Sequence, residues 1–252
     1  MSGIVKPFRR TCRPGPGGKY PGDTRDSYIT DPRYAVAPEQ YVRAFEIIQK
    51  DLLELFEFVE PANKNKKCYS YRIHELLMRT CIEVEANCKA IMSENKYAPT
   101  GKNWSRNDYK KLNRTHKLSS YKVKFPRWEG AGNVATPFAA WGSSARSLKW
   151  YDAYNAVKHD RNNNFEAANL GNLTEAIAGL VVLLSAQFCS CDFSQITIWA
   201  DDVDEEKRHP FSLAIGNYFL VKFPTNWTAG ECYSFDWGKL RSDLDPFQVL
   251  TF

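Results

Sequence analysis

The amino-acid sequence predicts a mainly α protein: an up-and-down helical bundle of four to five helices with a small, irregular, β-containing C-terminal layer. Three observations predict it. Apolar residues recur at steps of three and four over 38–60 and again over 68–95. The run from Ala176 to Cys189 is apolar on nearly every side, and beyond Cys191 the pattern changes to short β-like runs such as QITIWA and LAIGNYFLVKFP. Steps of three and four mark one buried face of a helix, whereas short runs rich in aromatic and β-branched residues mark strands.

Taken in order, residues 1–35 are rich in Gly, Pro and charge and carry no apolar period, so they read as a flexible N-terminal tail. The first helix is PEQYVRAFEIIQKDLLELFEFVE, with Tyr41, Phe45, Ile48, Leu52, Leu55 and Phe56 on one side up to the break at Pro61. After the basic loop NKNKK, a second helix carries the stripe Ile73, Leu77, Cys81, Val84, Cys88 and Ile91. Arg72, Arg79 and Glu83 share its opposite face, where Arg79 and Glu83 form an i,i+4 pair worth a few tenths of a kcal/mol. Glu85 sits beside the stripe as a half-buried acid that needs a partner, expected from Lys158, Arg146 or His159 on the third helix.

A basic insertion follows over 96–137, with a short helix capped by Ser105 and an edge-strand pattern in YKVKF. The third long helix is read from Phe138 through Arg161 and is broken by the turn-forming triplet Asn162-Asn163-Asn164. The fourth runs from Phe165 to Phe188; having no polar face beyond Ala176, it must be surrounded. The chain thus divides into a tail (1–35), a helical body (36–192) and a C-terminal strand-and-loop layer (193–252) packed on it.

A hydrophobic content of 43% with 14% aromatic residues supplies a core and excludes wholesale disorder. The seven cysteines form no CxxC pair, and no His/Cys/Asp/Glu set has metal-ligand spacing, so reduced thiols and no metal are expected. Phosphate loops of the GxxxxGK type are absent, so no cofactor is expected. The N-terminal stretch lacks the apolar core of a secretory signal, and the window from Ala176 to Cys189 is too short to span a bilayer. No membrane association and a cytoplasmic location follow as expectations.

On the third helix Asp152, Asn155 and His159 fall within about 60° of one another, at about 100° per residue. Leu148, one turn earlier, ends the strip, while Trp150, Tyr154 and Val157 make an apolar side. Histidine titrates near neutrality and serves as general acid or base. Asp152 lies about 10 Å away along the axis, too far to orient the ring, whereas Asn155 is one turn back. The alternative is a solvated helix face whose terminal imidazole complements the helix dipole.

The succession of YNAVKHDR, an asparagine-rich turn and the buried helix ANLGNLTEAIAGLVVLL resembles the HEPN superfamily, most closely over 146–188. The resemblance implies a four- or five-helix bundle, often a homodimer. It also implies a metal-independent ribonuclease of the kind found in toxin-antitoxin and phage-defence systems, with an antitoxin-like partner protein. His would transfer a proton and Arg would stabilise the phosphate. Active members place an Arg four to six residues before the His, where this chain has Tyr154, Ala153 and Asp152; Asn155 and His159 fit. Lys158, Arg161 or Arg79 are the candidate substitutes for that Arg. The catalytic candidates are therefore His159 first, then Asn155, with Asp152, Tyr154 and Lys158 in support.

Residues 96–127 point to RNA independently, carrying ten basic side chains against one acid, Asp108. That window is net +9, against +5 for the whole chain. Lys110, Lys111, Arg114 and Lys117 would meet phosphates while Trp104 and Tyr109 stack on bases. Alternatively the segment is a solvated surface, or pairs with the acidic cluster Asp201 to Glu206. His74, His116 and His209 show no companion spacing and read as incidental. The competing function is a non-catalytic binding or dimerisation module with a structural His159. A small-molecule hydrolase using His159 and Glu85 ranks last for want of a nucleophile signature.

Overall fold

The computed structural model describes residues 3–21, 27–143, 147–193 and 210–252. Among these the chain is mainly α-helical with one small antiparallel sheet. Helix α1 (Pro38–Leu55) starts with proline at its first position, where no amide hydrogen is needed, and buries Val42, Phe45, Ile48 and Leu52. Helix α2 (Tyr71–Glu94) is capped by Ser70, whose hydroxyl accepts the Ile73 amide at 3.2 Å. All six apolar residues expected along its stripe are buried.

Two short helices, α3 (Arg106–Lys110) and α4 (Leu112–His116), and strand β1 (Lys122–Lys124) order the basic segment. Strand β2 (Val134–Ala135) follows. Helix α5 (Lys149–His159) begins about eleven residues later than the sequence pattern suggests, because a 3-10 turn over Ala139–Gly142 precedes it. The asparagine triplet does not simply turn: Asp160 accepts the Asn163 amide at 3.3 Å and starts one further helical turn, α6 (Arg161–Asn164). Helix α7 (Leu170–Phe188) is buried on every side from Ala176 onward. By length and composition it could cross a bilayer, which corrects the expectation from its shorter window, but 83% of its most apolar stretch is buried inside the protein.

α2 and α7 start together, where Tyr69 and Asn169 form a bridge, and they reach Asn87 and Gln187 together. They therefore run side by side in one direction. α1 runs against α2: Asp51 near its end meets Arg79, while Val36 before its start donates to Glu94 at 3.2 Å. α5 also opposes α2, with Tyr151 at Glu85 and His159 in the same cleft as His74. Gly179 on α7 admits the Trp150 ring, since a Cβ there would stand 3.2 Å from it.

The sheet has the order β2-β1-β4-β3, where β3 is Ser212–Leu213 and β4 is Leu220–Lys222. Val123 of β1 pairs with Val221 of β4. The basic segment and the C-terminal part thus share one sheet, and α8 (Trp237–Leu240) follows.

The expectation of a flexible tail over 1–35 is corrected. Residues 3–21 and 27–35 form a strap that joins Cys12 N–H to the Ala186 carbonyl at 2.8 Å and pairs Ile4 with Tyr233 and Phe8 with Gln248. Arg10 is wholly buried. Its Nε meets Glu94 Oε1 at 2.6 Å, its two terminal nitrogens donate to Gln187 Oε1 (3.0 Å) and the Val36 carbonyl (2.6 Å), and the guanidinium lies 4.5 Å from the Tyr41 ring centre. A buried charge persists only when paired and hydrogen-bonded, and every arm of Arg10 is so held.

Candidate functional site

The stripe expected on α5 is divided between two adjoining cavities. Asp152 is taken up by an ion pair with Arg106 of α3 and a hydrogen bond from Ser147, and it lines a groove that His159 does not. Asn155 lines a groove of about 650 Å³ between α2, α3 and α5. Tyr154 is buried, and Lys158 caps it, donating to its hydroxyl at 3.1 Å and lying 5.1 Å above its ring. Lys158 also lines the cleft that holds His159, with its ammonium held toward Tyr154.

His159 stands exposed at the end of α5 and lines a second cleft of about 400 Å³. That cleft also receives His74 from α2 and Arg161 from the first turn of α6. Among the described residues none of these three side chains has a hydrogen bond or ion pair to the protein, in contrast to Arg10 and Asp152. Burial first, and then the Arg161 charge, push the His74 imidazole below its ordinary pKa, favouring the neutral form. The His74 ring leans on Phe165 at 5.9 Å, and the Arg161 guanidinium lies 5.9 Å from the Tyr71 ring centre.

His74 is the residue that sequence reasoning passed over. Its spacing on α2 says nothing about α5, so only the packing of the two helices brings it to His159. Arg161 was among the candidate substitutes for the missing arginine, and the Asp160 cap that starts α6 turns it into this cleft. Arg79 does not reach it: instead of pairing with Glu83, it pairs with Asp51 of α1 on another seam.

Glu85 finds its partner on α5, but not among the side chains expected. Tyr151 donates to Glu85 Oε1 at 2.9 Å, and Lys89 stands 3.5 Å from Oε2. Arg146 lies outside the described residues.

The basic segment divides sharply. Lys111 donates to the Tyr97 hydroxyl at 2.7 Å, and Lys117 pairs with Glu231 at 2.8 Å and lies over the Trp227 ring. Arg114 and Lys110 reach carbonyl oxygens of Thr251 and Ser143, both at 3.5 Å. The lone acid of the segment, Asp108, is buried and closes a capping box with Ser105 while accepting the Tyr97 hydroxyl at 2.7 Å. Burial raises its carboxyl pKa, but hydrogen bonds from Ser105, Tyr97 and Thr100 outweigh this and bring it down to about 2. Trp104 and Tyr109 remain together in the groove, their rings 6.3 Å apart and 16° from parallel. The acidic cluster Asp201 to Glu206 lies outside the described residues.

Among the described residues, no three His, Cys, Asp or Glu side chains gather as a metal site. Comparison with protein-family models, curated proteins and solved structures finds no match. The functional reading therefore rests on the side chains themselves.

Proposed function

We propose that this chain is an HEPN-like helical bundle that cleaves RNA without a metal ion in the cleft between α2 and α5, with His159 as a proton-transfer residue. The observation that carries the reading is the convergence of His74, His159 and Arg161, from three elements, in one open cleft. The alternating directions of α1, α2 and α5, and the buried α7 beside them, support the bundle.

The chemistry follows from the residue types. Neutral His74 accepts the proton of a ribose 2′-hydroxyl as that oxygen attacks the adjacent phosphorus. The bond from phosphorus to the 5′-oxygen breaks, and protonated His159 gives its proton to that leaving oxygen. The products are a 2′,3′-cyclic phosphate and a 5′-hydroxyl end. Arg161 carries the charge that builds on the non-bridging oxygens. Lys158, which lines both cavities, draws the strand along α5.

Labelled single-stranded RNA incubated in EDTA with wild type, His74→Ala and His159→Ala tests the reading. Cyclic-phosphate ends from wild type alone are expected. Equal, absent cleavage by all three across several RNAs leaves the non-catalytic binding module as the better account.

A further inference from the structure

The groove beside the cleft has a chemistry of its own. Its wall is the half-buried Trp104, held nearly parallel to Tyr109. Its floor presents Glu85, whose Oε1 already accepts the Tyr151 hydroxyl at 2.9 Å and whose Oε2, among the described residues, has only Lys89 at 3.5 Å. An ionised carboxylate offers about four lone-pair sites, so both oxygens keep acceptor capacity toward the groove. Lys89 and Lys158 stand at the opening, where Arg106 is paired with Asp152.

We propose that this groove binds an unpaired guanine of the RNA strand, with the base stacked on Trp104 and read by Glu85. The assignment rests on the RNA reading above and names the base that sits next to the cleaved linkage. An indole face accepts any base, so Trp104 supplies affinity without choice. Choice comes from the carboxylate. The Watson–Crick edge of guanine carries two adjacent donors, N1–H and the N2 amino group, which match the two acceptor oxygens of a carboxylate. Adenine and cytosine each place a ring-nitrogen acceptor beside their amino group, and uracil flanks its single donor with two carbonyl oxygens. Each of these sets a lone pair against Glu85. Tyr151 holds the carboxylate in place, and the surrounding cations meet the flanking phosphates, which carry no sequence information. Lys158 lines this groove and the histidine cleft alike, so a strand whose guanine lies here continues toward His159.

The test is a binding series on the full chain with 2′-O-methylated oligouridine octamers, which cannot be cleaved by 2′-oxygen attack. The central base is guanine, inosine, adenine or uracil, and affinity is read by fluorescence anisotropy. Guanine is expected to bind about 10- to 100-fold more tightly than adenine, with inosine, which lacks the N2 amino group, between them. Glu85→Gln should reduce the guanine preference to under about 3-fold, since the amide loses one acceptor for guanine and gains a donor for the adenine ring nitrogen. Trp104→Ala should weaken every probe about 10-fold. Equal binding of guanine and adenine by wild type overturns the assignment, as does a guanine preference that survives Glu85→Gln. The wild-type series stands by itself if that variant does not fold. Guanine preference without cleavage of unmodified RNA sinks the nuclease reading and keeps this one; cleavage without base preference does the reverse.

Discussion

The two ends of α2 handle charge in opposite ways. At its C-terminal end, Glu94, Asn87 and Asn95 meet the strap and α7 in a network in which Arg10 uses all its arms. His116 belongs to this end too, its Nε2 donating to the Arg10 carbonyl at 3.1 Å. At the N-terminal end, His74 shares an open cleft with His159 and Arg161, and among the described residues none of the three side chains has a hydrogen-bond partner in the protein. The first end spends its polar groups on holding the strap in place. The second leaves them free for a ligand. Polar groups whose bonds are complete build the fold, and those left open are where chemistry is to be sought.

Four changes would break or sharpen that contrast. Arg10→Ala is the largest: it removes the ion pair of the half-buried Glu94 and the donor to the wholly buried Gln187, and should cost about 3–5 kcal/mol in chemical denaturation. A cost below about 1 kcal/mol would mean that the strap is not held by this network. His159→Ala or His74→Ala should reduce RNA cleavage by about 10²- to 10⁴-fold. His159→Ala, at an exposed position, should leave stability within about 0.5 kcal/mol of wild type, and His74→Ala, half-buried against Phe165, should cost about 1 kcal/mol.

Acid should act on the closed end first. Burial holds the His116 imidazole at a pKa of about 3, against about 6.5 in an unfolded chain. Between those values the unfolded chain binds the proton and the folded one does not. The contribution is therefore complete above about pH 6.5 and declines as pH falls toward 3, by at most about 1.4 kcal/mol per pH unit. Equilibrium unfolding across pH 7 to 4 should show this slope, and His116→Gln should flatten it. The smallest effect is expected from Arg79→Ala, whose partly exposed pair with Asp51 is worth at most about 1 kcal/mol and whose loss should not alter RNA cleavage. A large loss of cleavage in that variant would relocate the site to the α1–α2 seam.

Much of the helical part was legible. α1 and α2 announce themselves by period, and α7 by its lack of a polar face, because a helix in contact with the core must repeat its apolar residues every turn. The strap was not legible. Glycine, proline and arginine at its start have the composition of a loose tail, and nothing local reveals that Arg10 meets Glu94, 84 positions away. The shared sheet was hidden for the same reason, since Lys122 to Lys124 pair with Leu220 to Lys222. In the candidate cleft, His159 was recognisable from its helix and Arg161 from its proximity, but His74 was not, because one helix's spacing carries no information about its neighbour.

The sequence by itself determined which segments are helices, which of their faces are apolar, and where a histidine ends α5; these follow from side chains within a few turns of one another. Only the tertiary structure decided which polar groups are closed and which stay open. That choice depends on distant partners: Asp152 went to Arg106, Lys158 to the Tyr154 ring, Glu85 to Tyr151, and His74 to the cleft it shares with His159. Hydrogen bonds and charges act over a few ångströms, so their assignment waits until folding has set the distances.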